Sequence, residues 1–169
     1  MSTPIDLKFV TSDKQEFLIP SDVIKMSLSV KTLLNDLGLN DLELTNADPI
    51  PLQNVNGKTL EKVIVWCKHH LENPDEAPVP APTEESDDEE GLSTFAYDFF
   101  KISQSEIFEL ILAANYLNIE GLIDAGCKKI AVMMDGLSPQ ELRDKFELAN
   151  DFTPEEEKEV SKENPWSGF

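Results

Sequence analysis

The chain has 169 residues and a mass of 18.9 kDa, which suits one compact domain with an appendage. Its 33 acidic and 14 basic residues give a net charge of −19. This charge opposes binding to nucleic acid or to an anionic membrane surface, because both attract proteins through lysine and arginine. Other proteins are therefore the remaining class of binding partner.

The cysteines and the N-terminus predict a cytoplasmic and nuclear protein. Cys67 and Cys127 lie in no C-x-x-C pattern and are typical of reduced thiols. The first residues lack the charged and apolar regions of a signal peptide, and no apolar run is long enough to span a bilayer.

The N-terminal residues predict a β-hairpin. Ile5, Leu7 and Phe9 alternate with polar residues, which places apolar side chains on one face of a strand. Residues 12–15 supply a turn, and residues 17–19 return as a second strand.

Apolar residues three and four positions apart predict two amphipathic helices in the first half. The first contains Val30, Leu33, Leu34 and Leu37 and stops at Gly38. The second contains Leu60, Val63, Ile64, Cys67 and Leu71 and stops at Asn73. Between them, residues 49–52 predict an extended segment that its prolines limit to the edge of a sheet.

Residues 72–94 predict a disordered, acidic, proline-rich linker. The part from 72 to 90 holds nine acidic residues, four prolines and no lysine or arginine, so it has too little apolar surface to fold. Ser86 precedes Asp-Asp-Glu, which makes it a candidate phosphorylation site for an acid-directed kinase. A solvated surface insertion explains the same composition without regulation.

The last third predicts helices with clear starts. Three of them carry the capping box, in which a hydroxyl residue precedes a glutamate by three positions. The pairs are Ser103 with Glu106, Ser138 with Glu141 and Thr153 with Glu156. The last two helices are predicted near 139–147 and 154–163. A further helix is predicted over residues 120–135, with Gly136 as its stop. The residues expected to face the core are Leu122, Ile123, Ile130, Ala131 and Met134.

No catalytic or metal-binding pattern is found in the sequence. The two histidines, His69 and His70, are neighbours on a predicted helix and therefore point about 100° apart. The glycines form no phosphate-binding loop, and the acidic run lacks the spacing of a calcium loop. We therefore predict no catalytic residue, no metal, no cofactor and a protein that is not an enzyme.

Residues 107–124 carry the sequence IFELILAANYLNIEGLID, which resembles the signature of the Skp adaptor family. These proteins are the small subunits of SCF (Skp, cullin, F-box) ubiquitin ligases. Further resemblance is found in residues 33–39, 49–55, 62–70, 150–157 and 162–164 and in Trp166, so it covers most of the chain.

The resemblance implies an α+β protein with a BTB/POZ fold, a small mixed sheet with helices, over residues 1–135. It implies F-box-binding helices over residues 136–169 and an adaptor role that bridges a cullin to F-box substrate receptors. By position in the family pattern, the cullin-binding residues are Asn115 and Tyr116. The F-box-binding residues are Phe108, Leu122, Ile130, Phe146 and Trp166.

Other interpretations of the same residues remain open. Phe108, Leu122 and Ile130 have the helical spacing of ordinary core residues, which looks the same as an interface in sequence. The acidic segment alone suits a chaperone or scavenger of basic proteins. A homodimeric POZ scaffold is a third interpretation, and we expect at most weak self-association of the isolated chain.

Overall fold

A computed structural model describes residues 5–37, 48–76 and 92–163, which contain three strands and eight helices. The predicted α+β class is confirmed. The chain divides into two compact units, Met1–Lys129 (unit 1) and Ile130–Phe169 (unit 2). The sequence placed a domain boundary slightly later, after residue 135.

The sheet of unit 1 has the strand order β2-β1-β3. Strands β1 (Asp6–Thr11) and β2 (Glu16–Pro20) pair antiparallel, so the predicted hairpin is confirmed. Strand β3 (Ile50–Leu52) pairs parallel with β1 and is an edge strand, as its prolines predicted.

Six helices begin in unit 1. They are α1 (Ser21–Ile24), α2 (Leu28–Leu37), α3 (Gly57–Glu72), α4 (Thr94–Phe99), α5 (Gln104–Leu117) and α6 (Glu120–Met134). Each of α3, α4 and α5 starts at a side-chain cap, with Asn56, Ser93 and Ser103 accepting a hydrogen bond from a backbone N–H. The predicted stop of α2 at Gly38 lies outside the described residues.

The core of unit 1 surrounds Trp66, whose side chain is 1% exposed. Its ring contacts Phe95, Phe99 and Phe100 at centroid distances of 5.7, 5.2 and 6.1 Å. Two of these phenylalanines belong to α4, a helix that the sequence did not predict. The aromatic cluster therefore fastens the chain that follows the acidic segment onto α3.

Both ends of the predicted linker are ordered. Glu72 belongs to α3, and Glu76 contacts Nε2 of His69 at 3.0 Å. Leu92, at the other end, is 3% exposed. Residues 77–91, with the candidate phosphorylation site Ser86, lie outside the described residues.

Helix α6 is buried only in its first part. Leu122 and Ala125 have no exposed surface, but Ala131 and Met134 are exposed, so the prediction that these two face inward is wrong. Helical periodicity shows which residues share a face, but it does not show how far along the helix the neighbouring core extends.

Unit 2 contains α7 (Pro139–Phe146) and α8 (Pro154–Glu163), close to the predicted ranges. Ser138 and Glu141 form the predicted capping box at the start of α7. No residue of α7 is buried. Across the described parts of the chain, no helix is long and apolar enough to cross a membrane.

Candidate protein-interaction surfaces

Helix α5 is fixed to α3 by a charged contact at its first turn. Glu106 accepts hydrogen bonds from the backbone N–H and hydroxyl of Ser103, at 3.1 and 2.8 Å. Its other oxygen lies 2.6 Å from Nζ of Lys58 on α3. The hydrogen bond from Lys58, followed by those from Ser103, lowers the pKa of Glu106 from 4.5 to about 2.

The inward face of α5 packs into the core, and its outward face carries large apolar side chains. Ile107, Leu110, Ala114 and Leu117 are at most 1% exposed. On the other face, Phe108, Leu112 and Tyr116 are 40%, 67% and 38% exposed. These three residues are spaced by four and share one side of the helix, so we name them the α5 stripe.

The C-terminal end of α5 meets the start of α2. The backbone N–H of Leu28 donates to the carbonyl of Asn118 at 3.2 Å, and the hydroxyl of Ser29 donates to the carbonyl of Tyr116 at 3.2 Å. Leu28 and Leu33 of α2 are themselves 48% and 38% exposed. Helices α2 and α5 therefore present one surface with polar and apolar parts, which we name the α2–α5 surface.

The structure brings together three of the residues predicted to bind partners. Asn115 and Tyr116 are both exposed at the end of α5. Phe108 belongs to the same α5 stripe as Tyr116, although the resemblance assigned the two to different partners. The eight-residue spacing of Phe108 and Tyr116, about two helical turns, is visible in the sequence and favours placing them on one face.

The F-box prediction for Leu122 needs correction. Its side chain is 0% exposed within unit 1, so it has no surface to offer a partner and serves the core. Ile130 and Phe146 are partly exposed and lie in unit 2. Trp166 lies outside the described residues.

Unit 2 exposes apolar side chains that its short helices do not cover. Met134, Leu148 and Phe152 are 42%, 59% and 47% exposed, and we name them the unit 2 apolar set. Helix α7 is held locally, since Nζ of Lys145 donates to the carbonyl of Met133 at 2.7 Å. Arg143 and Lys145 also lie in its last turn, where positive charge is favourable.

The two histidines and the one cysteine of α3 are held by contacts within the fold. The ring of His69 stacks on Phe95 at 3.5 Å. Nδ1 of His70 contacts the Trp66 carbonyl at 3.0 Å, and its buried Nε2 has no hydrogen-bond partner in the described residues. Burial raises the pKa of the Cys67 thiol to about 12, which leaves it unreactive. Within residues 5–37, 48–76 and 92–163, no group of three metal-ligating side chains is found.

The fold and these two exposed surfaces define a POZ-type interaction protein with a helical extension. Residues 6–72 match the Skp1 family tetramerisation domain, and residues 120–167 match the Skp1 family dimerisation domain. A "Skp1-related protein" of Caenorhabditis elegans is 48% identical over 165 residues, which cover 95% of this chain and 90% of that protein. This chain belongs to the Skp1 family.

Two further relatives are similar over nearly their whole length. The "E3 ubiquitin ligase complex SCF subunit sconC" of Aspergillus terreus is 42% identical over 167 residues, or 99% of each chain. The "SCF ubiquitin ligase complex protein SKP1a" of Dictyostelium discoideum is 40% identical over 162 residues, or 95% of this chain and 94% of that protein.

Proposed function

We propose that this chain is the adaptor subunit of an SCF ubiquitin ligase and bridges a cullin to F-box substrate receptors. Two relatives that bear the name of SCF subunits cover almost its full length, and this similarity supports the role. As an adaptor it makes and breaks no bond; it holds the substrate receptor near the scaffold. We place its action in the cytoplasm and nucleus.

One observation carries the proposal beyond similarity: each unit exposes its own set of large apolar side chains. Unit 1 carries the α5 stripe, and unit 2 carries the unit 2 apolar set. Exposed apolar patches mark surfaces that another protein covers. A chain with two such sets is suited to hold two partners at once.

The cullin is assigned to the α2–α5 surface, with Asn115 and Tyr116 at its polar end. Tyrosine is enriched among residues that dominate binding energy, because its ring buries a large area and its hydroxyl stays hydrogen-bonded. The backbone of Tyr116 is fixed by Ser29, so the ring is presented from a rigid position.

The F-box is assigned to unit 2, through Ile130, Phe146 and Trp166. The apolar residues of unit 2 that stay exposed favour a partner whose helices complete the packing. Without that partner, weak self-association through the same residues is expected. A mass measurement in solution, with and without an F-box peptide, tests this competition.

Alanine at both Asn115 and Tyr116 tests the cullin assignment. We expect a loss of about 2 kcal/mol or more in affinity for a purified cullin N-terminal domain, roughly thirty-fold in Kd. F-box binding and the melting temperature should stay as in the wild type. Unchanged cullin affinity would reject the assignment, and joint loss of both partners with a lower melting temperature would indicate unfolding.

Phe108→Ala decides between the family assignment and the geometry of α5. The resemblance predicts weaker F-box binding, whereas membership in the α5 stripe predicts weaker cullin binding. Leu112→Ala is the matched control, because Leu112 lies one turn further along the same stripe and was never assigned to the F-box. Both variants are measured against both partners by calorimetry.

A further inference from the structure

A cavity of about 650 Å³ opens in unit 1. Its walls come from the chain between α1 and α2, from the end of α3 with the residues that follow it, and from the turn between α5 and α6. This volume lies within the range of pockets that bind ligands. Nothing in the adaptor role described above uses it.

The cavity borders the α2–α5 surface. Leu28 and Asn118 line it, and the hydrogen bond between their backbones joins α2 to the end of α5. Tyr116 lies two residues before Asn118 and is bonded to Ser29 beside Leu28. A protein that covers Tyr116 therefore reaches the rim of the cavity.

The walls carry opposite charges. Lys25, which follows α1, and Lys31 of α2 line one side. The acidic lining residues are Asp75 and Glu76, which follow α3, and Glu120 at the start of α6; of these, Glu76 is paired with His69. The side chains of Lys25, Lys31 and Asp75 are exposed, and none of the ion pairs found among the described residues joins the basic side to an acidic one. A site with charges of both signs does not suit a lipid surface or a nucleic acid, but it suits a peptide with a basic and an acidic residue.

The floor of the cavity is rigid. Trp66 and His70 both line it, and their rings stack with a centroid distance of 4.4 Å. The contact of His70 Nδ1 with the Trp66 carbonyl fixes the imidazole. A preformed site of this kind loses little conformational entropy when it is filled.

We propose that the cavity receives a short peptide segment of the same cullin that docks on the α2–α5 surface, with a basic side chain toward Asp75 and an acidic one toward Lys25. The inference rests on the proposed function and adds a second contact to it. A segment that belongs to a cullin already bound at Tyr116 has a high effective concentration at the cavity, so it needs little affinity of its own.

Charge reversal tests the cavity. Lys25→Glu, Asp75→Lys and the double variant are measured against the cullin N-terminal domain. Each single change should weaken binding by about five- to ten-fold. The double variant keeps the net charge but inverts the pattern, and it should be at least as weak as either single variant. The matched control is the swap Lys8→Glu with Glu16→Lys, which exchanges an ion pair on the sheet and should leave Kd unchanged.

A spectroscopic readout reports occupancy directly. The chain has two tryptophans, so 5-fluorotryptophan labelling gives two ¹⁹F signals, and Trp166→Phe assigns the one from Trp66. Addition of the unlabelled cullin domain should shift the Trp66 signal in the wild type and less in the double variant. A Trp66 signal that stays in place overturns the inference.

The two levels of the proposal fail separately. If the charge variants bind like the wild type while alanine at Asn115 and Tyr116 still weakens binding, the cavity has no role and the adaptor function stands. If neither set of variants weakens cullin binding, the proposed cullin surface fails as well.

Discussion

Unit 1 and unit 2 start their helices with the same chemistry but bury very different amounts of surface. Ser103 in unit 1 and Ser138 in unit 2 both form complete capping boxes. Yet among the described residues every buried hydrophobic side chain, from Leu7 to Ala125, lies in unit 1. The two units therefore have the same hydrogen bonds at these helix starts, but only unit 1 has a buried hydrophobic core among the described residues.

This comparison separates helix capping, which is complete within one chain, from hydrophobic burial, which another protein can supply. A capping box is complete within four residues and needs no tertiary contact. Burying a leucine side chain contributes roughly 1.5–3 kcal/mol, and Leu148, at 59% exposed, obtains little of that within its own chain. Under the proposed function, unit 2 would gain further packing from another protein, whereas unit 1 already has a buried core of its own.

The largest expected effect is that of a core truncation in unit 1. Leu122→Ala should lower the free energy of unfolding by about 2–5 kcal/mol, because it removes buried methyl groups and leaves a cavity. Urea denaturation followed by circular dichroism measures the change.

The matched truncation in unit 2 is Leu148→Ala, which should change the same free energy by about 0.5 kcal/mol or less. Similar losses for the two variants would contradict the contrast between the units. A small loss for Leu122→Ala alone would restore it as a candidate contact residue.

The contrast also explains which parts of the fold the sequence could predict. The hairpin and the edge position of Ile50–Leu52 follow from alternation and proline, which are local rules. The capping boxes predicted the starts of α5 and α7 correctly. All these signals lie within a few residues of the structure that they determine.

The failures involve contacts between distant residues. Helix α4 is too short for periodicity to reveal, and it is held by packing of Phe95 and Phe99 on Trp66, about thirty residues earlier. The interface assignment of Leu122 failed because core and interface residues have the same spacing on a helix. The spacing of the α5 stripe is visible in the sequence. That α2 lies beside this stripe and extends its surface could not be predicted, because it depends on a contact between distant residues.

A smaller effect is expected from removal of a capping hydroxyl. Ser138→Ala should cost about 1 kcal/mol, because the backbone N–H of Glu141 loses its acceptor and the Glu141 carboxylate loses one of its two donors. In unit 2 this loss should stay local. Hydrogen exchange of the α7 amides should accelerate about five-fold, with the melting temperature of unit 1 unchanged.

Ser103→Ala removes the same group in unit 1 and serves as the matched control. Helix α5 opens only when its buried face leaves the core, so here the loss should lower the melting temperature of the whole unit. If both variants accelerate exchange only locally, or both lower the global melting temperature, the two units do not differ in cooperativity.

The smallest effect concerns the glutamates of the two boxes and their response to acid. The pKa of Glu106 is lowered to about 2, first by Lys58 and then by Ser103. The pKa of Glu141 is lowered by Ser138 alone. A carboxyl with a lowered pKa in the folded state stabilises the fold fully above its ordinary value of 4.5, and this stabilisation is lost as pH falls toward the folded pKa.

Titration of the two carboxyl carbons by NMR should therefore place the midpoint of Glu106 below that of Glu141. Lys58→Met should raise the midpoint of Glu106 toward that of Glu141 and leave Glu141 unchanged, because the lysine acts only on α5. Both units have the capping box, but among the described residues only the box of α5 also forms an ion pair with a lysine of α3. Equal midpoints in the wild type would mean that solvent screens the lysine and that the two boxes are equivalent.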